Sequence, residues 1–367
     1  MKIMILSGAA PTLLFFRAEM MLALLEKGHE VIAAAPEPRE EWADKFEHLG
    51  LKYLSLPHID KTGTNPLKDF LGFFSIMQII RREKPAKIFA YQAKPIIYGT
   101  LAAWVLGIKE VYLMMGGLGS VLRSEQKSML KNILQLQYKI AFKKCKKVFF
   151  QNRDDYAWML QKGLVKAEQV QMVKGSGVNL AKFPAKPIQN FPVFLFVGRL
   201  IRDKGVLEYL EAAKIVKSKY PTAKVQLVGY FDTNPTALSP KEIQAYLDQG
   251  VVEYLGATND VRPFLENASV FVLPSYHEGI PKSVLEAMAT GRPIITTDAP
   301  GCKETVLEGV NGFLIPVKDT EKLAEKMIWM IENKEQAIKM GEQSVRICQE
   351  NFDVRQVNEV IFKTMNL

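Results

Sequence analysis

Two stretches of this sequence place charged side chains where a turn of the chain could present them to one ligand. The first is Gly198-Arg199-Leu200-Ile201-Arg202-Asp203-Lys204-Gly205, directly after the apolar run 193–197. Gly198 lets the chain turn, and Arg199 and Lys204 project where a strand gives way to a helix. An arginine fork and a lysine point charge suit a diphosphate. Cations disfavour a helix N-terminus unless an anion sits there, so plain surface charge is the poorer account. The second stretch is Pro274-Ser275-Tyr276-His277-Glu278-Gly279-Ile280-Pro281-Lys282-Ser283-Val284-Leu285-Glu286. A strand over 270–273 ends here and a helix opens near Pro281, a residue suited to a first helical turn. Gly279 lets a ligand approach the backbone. The free amides of Ile280, Lys282 and Ser283 would face an anion, assisted by the helix dipole. Glu286 lies about one turn deeper, roughly 7.5 Å along the axis at 1.5 Å per residue. A phosphate at the helix end and a carboxylate beyond it match a nucleotide with its ribose hydroxyls. Glu278 would face the other side of the phosphate, where a sugar would sit.

These loops need rigid elements behind them. Short apolar runs alternate with helical stretches along the whole chain. Strands are expected at 3–6, 31–35, 51–56, 87–90, 111–114, 148–151 and 170–174. After a Gly- and Pro-bearing linker at 175–192 they resume at 193–197, 224–228, 251–255, 270–273 and 293–297. Strands this short and this apolar belong to parallel sheets covered on both faces. The fold class is therefore α/β, with two doubly wound domains. Gly291-Arg292-Pro293 and the strand after it, ending in Asp298-Ala299-Pro300-Gly301, read as scaffold first and ligand contact second. Asn152 is expected to cap a helix over 153–161. Of the four histidines only His277 lies near the charged loops.

The chain has 367 residues, 48% apolar and 24% charged, enough for two ordinary cores. Cys145, Cys302 and Cys348 are far apart and read as small core hydrophobes in a reducing compartment. No uncharged run is long enough to span a bilayer. The net charge is +9, and the segment 123–147 alone contributes +7 of it, with Glu125 the single acid there. That concentration points to one anionic surface. No aspartate has another two residues away, so a metal-binding D-x-D element is missing. No G-x-G-x-x-G follows either opening strand, which argues against a dehydrogenase.

In order and spacing the motifs resemble the retaining glycosyltransferases of family 4, which have the B-type fold of two facing Rossmann-like domains with a cleft between them. G-R-L-x3-K-G occupies 198–205, Glu278 and Glu286 form E-x7-E, and E-G-x-P-x4-E-A-M-A-x-G-x-P runs from Glu278 to Pro293. The likeness extends from Gly8 to a last helix around 354–365. A narrower group, bacterial transferases that extend polyprenyl-diphosphate-linked glycans, is similar at Phe16-Arg17, Gly117-Leu118-Gly119-Ser120, Ser176-Gly177-Val178-Asn179 and Tyr254-Leu255-Gly256-Ala257. Transfer of N-acetylgalactosamine to such an acceptor is the closest activity.

The resemblance implies an acceptor-binding domain at 1–180, a donor-binding domain at 181–350 and a C-terminal helix, 351–367, packed back on the first. It implies that Arg199 and Lys204 bind the diphosphate and stabilise departing UDP, that Glu278 contacts donor-sugar hydroxyls and that Glu286 holds the ribose. Gly279, Ile280, Pro281, Lys282 and Ser283 line the phosphate, backbone near Tyr254 reads the base, and Val228 and Gly229 flank it. Gly8 lets the first-domain loop approach the phosphates. Arg17, Gln92, Lys94, Gly117 and Gly119 fall on the acceptor side. One departure stands out: many members carry a histidine after the fourth strand, where this chain has Tyr91-Gln92-Ala93-Lys94. Either Gln92 or Lys94 substitutes, or the contact is absent.

The expected reaction is metal-independent transfer of a hexosyl group from a UDP-sugar to a lipid-linked saccharide, with retained configuration and no cofactor. A UDP-sugar epimerase of the same fold, and a transferase with a soluble acceptor, remain as alternatives. A nucleic-acid binder is the weakest, since the basic segment matches no known nucleic-acid-binding module. The helix expected at 129–142 sets Met129, Ile133, Leu136 and Ile140 on one face. Lys127, Lys131, Lys139 and Lys143 accompany it. We expect a cytoplasmic protein resting peripherally on the inner, anionic membrane surface through these lysines, while the apolar face packs on the first domain.

Overall fold

The computed structural model describes residues 1–59, 65–124, 128–232 and 236–367. The chain divides into two compact units, one made of residues 1–176 with 357–367 and the other of 177–356. The expected boundaries at 180/181 and 350/351 thus fall at 176/177 and 356/357. The reason is local. Val178 N donates to Phe352 O at 2.8 Å, and Val354 N donates to Val178 O at 3.0 Å. A Cβ on Gly177 would stand 2.5 Å from Val354 Cα, so glycine is required for this approach. The outgoing and returning strands of chain are therefore stitched together inside the second unit.

The first unit is built on seven parallel strands: β1 (Lys2–Leu6), β2 (Glu30–Ala35), β3 (Lys52–Ser55), β4 (Lys87–Tyr91), β5 (Val111–Met115), β6 (Lys147–Phe150) and β7 (Val170–Met172). Their order is β3-β2-β1-β4-β5-β6-β7, so the winding reverses between β1 and β4. Alternation along β1 serves two cores. Met4 and Leu6 join one with Ile88, Ala90 and Leu113, while Ile3 and Ile5 join another with Phe89, Tyr91 and Tyr112. The last helix, Val354–Met365, delivers Val357, Ile361, Phe362 and Met365 to that second core.

The second unit has β8 (Val193–Val197), β9 (Lys224–Val228), β10 (Glu253–Tyr254), β11 (Val270–Leu273), β12 (Ile294–Thr297) and β13 (Gly312–Ile315). Their parallel order is β10-β9-β8-β11-β12-β13, with the reversal between β8 and β11. The strand β13 was not anticipated, nor were the helices Thr320–Glu332 and Lys334–Asn351. A four-residue strand opening on glycine has little pattern of its own. Gly312 is there because a Cβ would lie 1.8 Å from Ile294 O. Arg292, fully buried, ties the turn before β12 by donating to Ala268 O at 2.6 Å, Lys186 O at 2.5 Å and Thr290 O at 3.1 Å. The three cysteines are buried and free, as small apolar side chains are.

Ile361 is fully buried in the first unit. Ile361→Ala is expected to destabilise that unit by roughly 2–5 kcal/mol, the usual cost of a large-to-small core change. Urea denaturation should show a lower midpoint; an unchanged midpoint would mean the helix is not part of the core.

Candidate active site

In wound sheets, ligands bind beyond the strand ends at the reversal of order. In the second unit that place is bounded by the loop after β8 and the loop after β11, the two stretches singled out by charge. Hydrogen bonds to one backbone carbonyl join them. Asp203 O accepts from Ser275 Oγ at 3.1 Å and from Tyr276 N at 2.9 Å. Gly205 closes the first loop with φ +71°, and a Cβ there would sit 2.1 Å from Pro274 O. Only glycine meets both conditions.

This junction sets Lys204 against Glu278, and Lys204 Nζ donates to Glu278 Oε1. The lysine is 18% and the glutamate 14% exposed, so the pair is largely removed from water yet reachable. Arg199 turns elsewhere. Its Nη1 donates to Asp232 Oδ2 at 2.8 Å, on the loop after β9. The two cations of the motif are thus each held by a carboxylate of their own. Asp232 escaped the sequence reading because it stands far from Arg199 in the chain, with no spacing rule to connect them. The same holds for the loop after β12. Glu278 N donates to Pro300 O at 2.8 Å, and a Cβ on Gly301 would lie 2.3 Å from Glu278 O. Cys302 lies beside it. Burial, then the charge of Glu278, pushes its thiol up to about 12.

The helix after β11 spans Lys282–Ala289, with Pro281 as its N-cap rather than its first helical residue. Gly279, Ile280 and Pro281 are buried, and Lys282 and Ser283 are partly exposed at the opening turn. Glu286 is 2% exposed. Its Oε1 lies 3.6 Å from Lys282 Nζ, and its Oε2 has no hydrogen-bond partner. A buried carboxylate oxygen without a donor is costly, and a ligand hydroxyl would satisfy it. Burial pushes this carboxyl up to about 7, with Lys282 drawing it partly back. Nearby, Tyr254 OH donates to Gly229 O at 2.8 Å, and Gly229 N donates to Gly256 O at 2.9 Å. The Val228–Gly229 turn and the Tyr254 segment, placed together by expectation, are in contact. A Cβ on Gly229 would lie 1.9 Å from Gly198 O, which brings this turn against the first charged loop.

The reversal in the first unit lies between β1 and β4. Gln92, after β4, has φ +71°, unusual for a residue with a side chain. Its Oε1 accepts from Gly8 N at 2.6 Å and from Ser7 Oγ at 3.1 Å. A Cβ on Gly8 would stand 2.8 Å from that oxygen. Tyr91 OH shares a 3.0 Å hydrogen bond with Thr12 Oγ1. Lys94 does not reach this edge as a free cation. It is paired with Asp69 at 2.5 Å and is 14% exposed. Of the two residues that could replace a histidine, Gln92 is therefore the one at the turn. Arg17 is buried beneath it, over the Tyr91 ring at 5.3 Å. Gly117 lies in the loop after β5 and Gly119 opens the short helix Gly119–Arg123, with φ +127° and +71°. Asn152 caps the helix Arg153–Gln161 by accepting from Asp155 N at 2.8 Å.

The basic helix spans Met129–Lys144. Its packing corrects one expectation. Met129, Ile133, Leu136 and Ile140 are exposed, at 79%, 42%, 58% and 39%, and the side that packs is Tyr138, Ala141 and Phe142. Lys127 lies outside the described residues, while Lys143 is exposed and Lys131 and Lys139 partly so. Lys146 pairs with Glu110, and Lys144 lies 4.0 Å from the Trp104 ring centre. Among the described residues no helix is long and apolar enough to cross a membrane.

A profile of glycosyl transferase 4-like domains matches residues 2–152, and one of glycosyl transferases group 1 matches 180–346. The chain is 29% identical to the N,N'-diacetylbacillosaminyl-diphospho-undecaprenol alpha-1,3-N-acetylgalactosaminyltransferase of Campylobacter jejuni, over 94% of this chain and 93% of that protein. It is 26% identical to the Escherichia coli UDP-Gal:alpha-D-GlcNAc-diphosphoundecaprenol alpha-1,3-galactosyltransferase, over 73% and 72% of the two chains. Its fold is similar to sucrose-phosphate synthase from Thermosynechococcus elongatus, with TM-score 0.82 at 19% identity and coverage of 100% and 98%. It is also similar to Anabaena HepE in complex with UDP, with TM-score 0.78 at 19% identity over 100% of both chains.

The raised pKa of Glu286 makes a stability prediction. The folded chain holds this proton more tightly than the unfolded one. That contribution is complete below the ordinary value of 4.5 and is lost as pH rises through about 7. Glu286→Gln is therefore expected to raise ligand-free stability at pH 8, by on the order of 3 kcal/mol at most. It should also flatten the melting temperature between about pH 5 and 7. Equal pH slopes in both proteins would reject the assignment.

Proposed function

The chain belongs to the family of group 1 glycosyl transferases, and from that premise we propose that it moves an N-acetylhexosamine such as N-acetylgalactosamine from a UDP-sugar to a polyprenyl-diphosphate-linked saccharide. The observation that carries the donor half is the site at the reversal of the second sheet. There Lys204 meets Glu278 beside a helix whose buried Glu286 keeps one oxygen unpartnered. The acceptor half is supported by the likeness to two transferases whose acceptors are diphosphoundecaprenol-linked sugars.

The chemistry follows from the charges. The donor diphosphate replaces Asp232 and Glu278 as the anion facing Arg199 and Lys204, and the amides opening the helix Lys282–Ala289 add partial positive charge. Glu286 takes the ribose hydroxyls. Once displaced from Lys204, Glu278 is available to hold hydroxyls of the sugar. As the bond from the anomeric carbon to the UDP oxygen breaks, negative charge grows on the β-phosphate, and the two cations, released from their carboxylates, stabilise it. The acceptor hydroxyl attacks the same face, its proton passes to the departing phosphate oxygen, and configuration is retained. With two cations and a helix dipole on the leaving group, no metal ion is needed for this step.

A polyprenyl acceptor confines the reaction to a bilayer surface, and the first unit carries a face suited to one. The exposed stripe Met129, Ile133, Leu136 and Ile140 runs beside lysines. The helix Pro66–Glu83 bears a second stripe, with Leu67 at 68%, Phe70 at 58%, Leu71 at 42% and Phe74 at 37% exposure. Both helices pack against the intervening segment 95–105. Apolar side chains that enter the headgroup layer, ringed by lysines, bind anionic membranes reversibly.

Two experiments test this reading. Arg199→Ala and Lys204→Ala should each lower kcat/KM by on the order of 100-fold, with EDTA leaving the wild-type rate unchanged. Near-normal turnover in both variants, or loss of activity in EDTA, would remove the proposed clamp. Replacing Lys127, Lys131, Lys139 and Lys143 with Gln should abolish salt-sensitive co-sedimentation with anionic vesicles while UDP binding persists, each lysine contributing about 1 kcal/mol near the leaflet. Sedimentation like the wild type would place the membrane face elsewhere.

A further inference from the structure

Arg17 occupies a core position. The buried residues of the helix Ala10–Glu26 are Ala10, Leu13, Arg17, Met20, Met21 and Leu24, one stripe at helical spacing in which a single member is charged. Its exposure is 3%. The guanidinium carbon lies 5.3 Å from the centre of the Tyr91 ring and 5.7 Å from that of Phe89. Its Nε has no hydrogen-bond partner. Among the described residues it makes no ion pair, and the ionisable group that acts on it is the Tyr91 phenol, which is itself bonded to Thr12. Burial lowers the guanidinium to about 10, still far too high to lose its charge near neutrality.

Arg292 shows what a structural arginine in this chain looks like: equally buried and likewise without a partner at Nε, but with its two terminal nitrogens spread over three carbonyl oxygens. Arg17 has aromatic faces alone, and these replace only part of the hydration a buried cation gives up. A methionine or leucine would fill the stripe without that cost. The charge is also well placed. Tyr91 is the last residue of β4, so the guanidinium sits at the C-terminal edge of the first sheet, beside the reversal formed by Gly8 and Gln92. That edge is where such sheets take ligands.

We propose that Arg17 is the anchor for a diphosphate at the edge of the first sheet, and that this diphosphate is the acceptor's. The inference rests on the acceptor reading given above. The donor diphosphate is already matched by Arg199 and Lys204 in the second unit. The planar fork of Arg17 suits two phosphate oxygens at once, and one unpaired cation answers one further anionic group. The two aromatic rings lie against the guanidinium, and its Nε is left without a partner in the chain.

The test keeps the donor site full with saturating UDP and adds inorganic pyrophosphate to the intact chain. Pyrophosphate is expected to raise the melting temperature of the wild type. Arg17→Met, which fills the apolar stripe, should melt no lower than the wild type and lose the shift; Arg17→Lys, which keeps charge without the fork, should keep part of it. If pyrophosphate does not stabilise the UDP-loaded wild type, or stabilises both variants as well, the anion site is overturned. Turnover then identifies the source of the diphosphate. Arg17→Met is expected to raise KM for the diphosphate-linked saccharide by on the order of 10- to 100-fold. The preference for that acceptor over the neutral alkyl glycoside of the same sugar should collapse. Equal losses on both acceptors would make Arg17 a structural residue and overturn the proposal. An Arg17-dependent pyrophosphate shift in a protein that turns over no diphosphate-linked saccharide would keep the anion site and remove the acceptor reading instead.

Discussion

Two hydrogen bonds to a single carbonyl oxygen, that of Asp203, hold the donor-side chemistry together. Ser275 and Tyr276 supply them from the loop after β11, while Gly205 allows the loop after β8 to come against Pro274. Without that junction Lys204 and Glu278 would be two charges on separate loops. With it they form a pair that neither loop could position alone. The side chains that do chemistry are long and charged, and their placement is inherited from backbone atoms that carry no charge.

The buried charges divide by how they are satisfied. Arg292 is surrounded by carbonyls and fastens a turn. Glu286 lacks a donor for one oxygen, and burial raises its proton affinity. A scaffold tends to close its hydrogen-bond accounts within the chain, and a binding site leaves some open for a ligand. The ligand-free site thus holds strain at Glu286 that binding can relieve, so part of the affinity is prepared before any ligand arrives.

Much of this was legible in the chain because it is periodic or local. The parallel strands showed as apolar runs, the charged loops followed strand ends, and Asn152 stood where a cap belongs. What escaped was long-range or patternless. Asp232 reaches Arg199 from another loop, and β13 is four residues opening on a glycine. The basic helix misled in a different way. Helical spacing identified an apolar stripe but not which side of the helix meets the core, since Tyr138, Ala141 and Phe142 make an alternative stripe of comparable apolarity. Periodicity defines faces, and packing partners choose between them.

The return of the last helix to the first unit has a consequence for how the chain is made. Ile3 and Ile5 share a core with Ile361 and Met365, which are made only after the second unit. Between Ser176 and Val357 the whole second unit must be synthesised. At 5–20 residues per second that interval is about 10–40 s. During it the emerging first unit carries a sheet face still missing part of its cover, beside helices whose exposed stripes are already apolar. The second unit, contiguous in sequence, can close its own core without waiting. Synthesis therefore runs in an inverted order: the part begun first is completed last, and the nascent chain has an extended need for protection of one specific surface.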